Sequence, residues 1–99
     1  MIYVAQLNLN GRMALGLKVE LPGSPPLLLI VGKRGFLMCG YLNMESVEKL
    51  GVAAAMISGV KNFEEMLHGE VKAVSSKAET FGVKKGMLGE DVVKLFLET

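Results

Sequence analysis

The 99-residue sequence predicts a single α+β domain over residues 1–99, with N-terminal β-hairpins joined to a mixed sheet of β-α-β-α-β units and short helices packed on it. Three observations predict it. Asn10-Gly11 divides residues 2–21 into two runs, the second strictly alternating. Two continuous apolar runs flank Gly32-Lys33-Arg34-Gly35, and from residue 43 onward capping residues and glycines punctuate helical and extended patterns in turn.

Residues 1–21 form the first hairpin, because Asn10 and Gly11 supply the two positive-φ positions of a type I′ turn. With that turn Leu9 faces Arg12, so Ile2, Val4, Gln6 and Asn8 fall opposite Val19, Leu17, Leu15 and Met13 on one face. Met13, Leu15, Leu17, Val19 and Leu21 alternate with Arg12, Lys18 and Glu20, the pattern of a half-buried strand with its large apolar side chains toward the core. Gln6 and Asn8 then sit near the turn, where that core ends. Pro22-Gly23-Ser24-Pro25-Pro26 is expected to break the ladder, since proline donates no backbone hydrogen bond. Residues 26–41 form a second hairpin whose strands, Leu27–Val31 and Phe36–Cys39, read as central strands covered on both faces.

Residues 43–97 alternate helices with strands. Asn43 caps a helix carrying Met44, Val47 and Leu50, and Gly51 ends it in the left-handed conformation. Val52–Ile57 is a small-residue strand. Asn62 caps the next helix, with Glu64 and Glu65 in its first turn, Phe63, Met66 and Leu67 on one face and Gly69 closing it. Residues 70–81 fit both a helical and an alternating period. A strand over 70–74 is preferred because Ser76 and Glu79 form a capping box that starts a helix there, to end at Gly82. Gly89-Glu90-Asp91 opens a last helix with Val92, Val93, Leu95 and Phe96 as a broad apolar stripe.

Composition narrows the function classes. A chain of this length buries roughly 60 to 68% of its unfolded surface, enough for one core. Hydrophobic residues make up 51%, including seven methionines and no tryptophan, which excludes a disordered chain. Eleven basic and ten acidic residues leave a net charge of +1, without the field that gathers nucleic acid or anionic lipid. Self-association suits such a surface better, and a homo-oligomer is expected. Met1-Ile2-Tyr3-Val4 has no signal-peptide character, Leu27–Val31 is too short to span a bilayer, and the lone Cys39 has no disulfide partner. A cytoplasmic location without membrane contact is the simplest reading.

The segments PLLLIVGKRGFLMCGYLN, EKLGVAAAMISGVKNFEEML and KAETFGVKKGMLGEDVVKLF, across about residues 21–97, resemble the YunC-like family of small prokaryotic proteins. Gly35-Phe-Leu-Met-Cys-Gly-Tyr-Leu-Asn43 is the most specific stretch. The family is catalogued as a domain of unknown function, so the resemblance implies a small α/β fold and no chemistry.

If strands 36–41, 53–57 and 70–74 run parallel, their carboxyl ends meet at one rim, where ligands of open α/β sheets bind. That rim would carry Cys39, Gly40, Tyr41, Ser58, Gly59 and Lys61, joined by Ser75 and Ser76. Cys39 has two readings, a small core side chain or a nucleophile. A free thiol is about 3% ionised at neutral pH, and a useful thiolate needs roughly 2 kcal/mol of selective stabilisation. A helix N-terminus near Asn43 supplies about 0.3–1 kcal/mol, or around 2 when partly buried. His68 lies at the far end of its helix, roughly 10 Å from the rim. Core packing is therefore favoured, with a thiol-dependent enzyme assisted by Lys61 or Tyr41 as the alternative. Ser58-Gly59-Val60-Lys61 offers backbone N–H groups and a cation to a small anionic ligand, but has no P-loop or GxGxxG spacing. One cysteine and one histidine make no spaced metal-ligand set, and no cofactor motif is present. The expected role is a non-catalytic small-ligand-binding or assembly module.

Overall fold

The structure is a computed structural model that describes residues 1–98. Among these residues the elements run β1 (Ile2–Leu9), β2 (Arg12–Leu21), β3 (Ser24–Val31), β4 (Phe36–Met38), α1 (Met44–Leu50), β5 (Ala54–Met56), α2 (Phe63–His68), β6 (Ala73–Val74), α3 (Ser76–Glu79) and α4 (Gly89–Phe96). The strands lie side by side in chain order as one mixed sheet. β1 to β4 are successively antiparallel, β4 and β5 are parallel, and β5 and β6 antiparallel. This is the expected α+β class.

The first hairpin keeps the expected register residue by residue, from Ile2 opposite Val19 to Leu9 opposite Arg12. Asn10 at φ 55° and Gly11 at φ 84° make the turn, and Gly11 N donates to Asn8 Oδ1 at 2.8 Å. The buried face, however, is the opposite of the expected one. Ala14 and Gly16 are buried, while Met13 and Leu15 are about half exposed and Ile2 and Val4 on β1 nearly two-thirds exposed. The reason is close approach: a Cβ on Gly16 would lie 2.9–3.2 Å from the Phe63 ring of α2. A helix can seat an aromatic ring only on the small-residue face. The core follows from this choice, with Ala14, Leu28, Ile30, Leu37, Ala55 and Ile57 on the sheet against Met66 of α2 and Val92, Val93 and Phe96 of α4. Leu9, beside the turn, is buried, so the core does not end there.

The ladder does not break at residues 22–26. Leu21 pairs with Ser24 around a Pro22-Gly23 turn, Gly23 has φ 65°, and a register shift between Val19 and Leu21 takes up the misfit. Pro25 and Pro26 therefore lie inside β3, where their missing N–H groups are tolerated because β4 pairs only with Leu29–Val31 and leaves that flank open.

Asn43 and Asn62 cap α1 and α2 as expected, and Gly51 leaves α1 at φ 70°. Gly69 ends α2 in extended conformation, φ −85°, and is required by its proximity to the Ile57 side chain. The expected parallel strand over 70–74 is corrected to a two-residue antiparallel one. Val71 N donates to Met87 O, Gly86 N to Val71 O, and Glu70 bridges Leu88, so this segment pairs with residues 86–88 and enters β6 from the carboxyl end of β5. Ser75, rather than Ser76, caps α3. The buried Ser75 Oγ accepts from Ala78 N at 3.3 Å and Ala54 N at 2.9 Å and donates to Val52 O at 2.9 Å. Ser76 is held by Glu48 of α1 through its N–H and, at 2.8 Å, its hydroxyl. The chain leaves this turn through Gly82 at φ 92°.

α4 is tied down at its carboxyl end. Lys33 N and Arg34 N donate to Phe96 O at 2.8 and 2.9 Å, Arg34 Nε to Leu95 O at 3.0 Å and Arg12 Nη1 to Leu97 O at 3.1 Å, satisfying carbonyls that a helix end leaves orphaned. On the other sheet face α1 covers only one half: Val47 packs on Met38 and Ala54, flanked by Met44, Leu29 and Phe36.

Three stability measurements check this packing. Gly35→Ala drives a methyl into Phe96 and to 2.9 Å from Ala53 O, and is expected to cost about 1–3 kcal/mol by urea unfolding. Gly40→Ala, whose nearest neighbour is Ser58 Cβ at 3.8 Å, should stay within about 0.5 kcal/mol of wild type. Glu48 has its carboxyl held below its ordinary value of 4.5 by the Ser76 N–H, then by the Ser76 hydroxyl. A lowered folded-state pKa gives stability that is present above the unfolded value and lost as pH falls through the folded one. The stability difference between wild type and Glu48→Gln should therefore hold above pH 4.5 and shrink on acidification below it.

Candidate functional site

Parallel pairing of β4 with β5 sends both chains out of the sheet at the same end. Ile57 N donates to Met38 O at 2.9 Å, which holds the two exits together. After β4 come Cys39, Gly40 and Tyr41; after β5 come Ser58, Gly59, Val60 and Lys61. The start of β3 forms the third wall. Together these segments enclose an open cavity of about 370 Å³, lined by Cys39, Gly40, Tyr41, Gly59 and Lys61 of the predicted set. Ser58 is exposed and stands behind Gly40 rather than in the lining. Ser75 and Ser76 are not at this rim. β6 runs against β5, so Ser75 lies beside Val52 and Ala54 at the other end of the sheet.

Cys39 is 4% exposed and accepts a hydrogen bond from Leu28 N at 3.3 Å through its sulfur. Lining residues include no imidazole and no carboxylate. His68 ends α2, whose first residues follow Lys61, so roughly 9 Å of helix separates it from the cavity. Cys39 thus acts as the floor of the cavity and as an acceptor for a strand N–H that β4 leaves unpaired. Tyr41 arches over the cavity, its hydroxyl donating to Pro25 O at 2.7 Å.

Gly59 reaches φ 74° with nothing within 4 Å of a would-be Cβ, which lets the chain turn sharply into α2. Lys61 N donates to Glu65 Oε1 at 2.8 Å, and Asn62 Oδ1 accepts from Glu65 N at 2.8 Å, a reciprocal cap that fixes the loop. The Lys61 side chain is exposed and makes no ion pair among the described residues. It also borders a second hollow, about 570 Å³, on the far side of Pro25 and Pro26, where Lys18 and Glu20 stand.

Sequence reasoning missed Pro25 and Pro26, and had Val60 only as part of the Ser58–Lys61 turn. The signal was present in the second hairpin: Val31 pairs with Phe36, and continuing that register sets Pro26 across from Tyr41. Among the described residues no cluster of three metal-ligating side chains occurs, and no helix is long and apolar enough to cross a membrane.

A family model described as Domain of unknown function (DUF1805) matches residues 38–96, from the last residue of β4 to the last of α4. The chain belongs to this family. The DUF1805 segment holds the Cys39–Tyr41 and Ser58–Lys61 sides of the cavity, while the β3 wall lies before it. Similarity extends beyond the matched segment. "Uncharacterized protein YunC" of Bacillus subtilis (strain 168) is 25% identical over 97 residues, covering 94% of this chain and 95% of that protein. A crystal structure of TA1206 from Thermoplasma acidophilum, a protein of unknown function, superposes with a TM-score of 0.91 at 34% identity, covering 97% of this chain and 93% of that chain. The resemblance seen in the sequence therefore holds, and the N-terminal strands belong to the shared fold.

The burial of Cys39 is open to a direct check. In the native DUF1805 domain it should react with iodoacetamide many-fold more slowly than in urea; equal rates in both states would contradict its place as the cavity floor.

Proposed function

We propose that this chain is a non-catalytic assembly and small-ligand-binding module, whose open sheet face packs against a second copy of itself. One observation carries the assembly reading: the large-residue face of β1 and β2, with the adjoining Val31 of β3, has no layer over it. Cross-strand pairing gathers Ile2 with Val19, Val4 with Leu17, and Leu15 with Val31 on that face. Ile2 is 64%, Val4 65%, Met13 49% and Leu15 46% exposed. These side chains form a contiguous apolar patch on the order of 400 Å², a size at which patches are often functional.

The occupant follows from chemistry and size. No charged residue interrupts those positions, so the face selects an apolar partner surface and has nothing to offer nucleic acid. A standard interface buries roughly 800 Å² per partner, and the apolar patch supplies about half of that as a core inside a polar rim that includes Gln6 and Asn8. An isologous pairing about a two-fold axis supplies a complementary surface from the same residues, and a net charge of +1 sets up little repulsion between copies.

Light scattering at micromolar concentration should give a mass at least twice 10.7 kDa. Leu15→Lys and Val4→Lys, both on exposed positions, should lower that mass while leaving the circular dichroism spectrum unchanged. A wild-type monomer would sink the assembly reading.

A further inference from the structure

We propose that the cavity under Tyr41 binds a small monocarboxylate through its apolar body, with the Lys61 ammonium taking the carboxylate. This rests on the ligand-binding half of the function proposed above and is independent of the sheet-face assembly. At about 370 Å³ the cavity falls within the range of small-molecule sites, which are mostly apolar with a few placed polar groups. Its walls fit that description. Pro25 and Pro26 contribute rings, Val60 a branched aliphatic side chain, Tyr41 an aromatic ring and Cys39 a polarizable sulfur at the base.

Charge identifies the class of occupant. Lys61 is the one charged residue in the lining, no carboxylate accompanies it there, and it makes no ion pair among the described residues. Glu20 lines the adjoining hollow, which shares Pro25, Pro26 and Lys61 with the cavity, and its carboxylate stands 3.9 Å from the Met1 ammonium rather than pairing with Lys61. A ligand that fills the apolar space and carries a single negative charge at its mouth-facing end complements both features. A dianion or a phosphate meets only one cation here, and a neutral apolar molecule leaves that cation unused.

Binding leaves the walls in place, because they are tied independently of any ligand. The Tyr41 hydroxyl is bonded to Pro25 O, the Cys39 sulfur to Leu28 N, and the Lys61 backbone to Glu65. Only the Lys61 side chain has to reorganise.

The test is a titration of ¹⁵N-labelled protein with phenylacetate, and separately with its neutral analogue 2-phenylacetamide, over the millimolar range. Saturable shifts of the Gly40, Tyr41, Gly59 and Lys61 amides are expected with phenylacetate, and about three- to fivefold weaker binding of the amide. Lys61→Met should abolish that difference while Lys61→Arg retains it. Equal affinity for the two probes in wild type would overturn the carboxylate assignment and leave the ligand-binding reading standing. No saturable shift at these amides with either probe would overturn both, without touching the oligomer measurement.

Discussion

The fold depends on how closely two helices approach one face of the sheet. Phe63 of α2 lies over Gly16, Phe96 of α4 lies against Gly32 and Gly35, and the start of α4 at Gly89 abuts the Met66 carbonyl of α2. Each contact uses a glycine where a methyl group would collide. The helices therefore seat on the face of β2 that carries Ala14 and Gly16, and close packing there excludes the opposite arrangement. What remains outside is the face with the larger side chains. An open apolar sheet surface is thus a consequence of tight helix docking rather than a shortage of covering elements.

Much of this architecture was legible in the residues. Asn10-Gly11 set the hairpin and its register, Asn43 and Asn62 marked two helix starts, and Gly51 marked a helix end, because each acts through local geometry that a few neighbours decide. The buried face of β2 was not legible in the same way. Alternation identifies two faces, and size suggested that Met13, Leu15 and Leu17 were the inner set. The decision belonged to Phe63, which seats on Gly16 from dozens of residues further along the chain. The direction of β6 was hidden for a similar reason, since it depends on Val71 and Glu70 pairing with Met87 and Leu88.

The candidate cavity shows the same division. Two of its walls were expected because β4 and β5 are parallel and leave the sheet together, and that inference needed only strand order. The third wall, Pro25 and Pro26, was taken for a break in the ladder. Their position makes sense once β4 is seen to be three residues long, which leaves the flank of β3 unpaired where prolines can stand. Tyr41 and Cys39 then stitch that flank to the rim by one hydroxyl and one sulfur contact. With Ser75 and Ser76 drawn to the opposite end, where they join α1, β5 and α3, the rim keeps Lys61 as its cation.

Methionine oxidation tests the central claim most directly, because Met13 sits on the uncovered face while Met38 and Met66 are fully buried. The native protein at high concentration is treated with peroxide and each residue's rate is compared with its rate in the urea-unfolded chain. If copies pack through this face, Met13 is slowed many-fold, as Met38 and Met66 are. Oxidation of Met13 near its unfolded rate, with Met38 and Met66 protected, would leave the fold intact and contradict the assembly; rapid oxidation of Met66 would contradict the assignment of the faces itself.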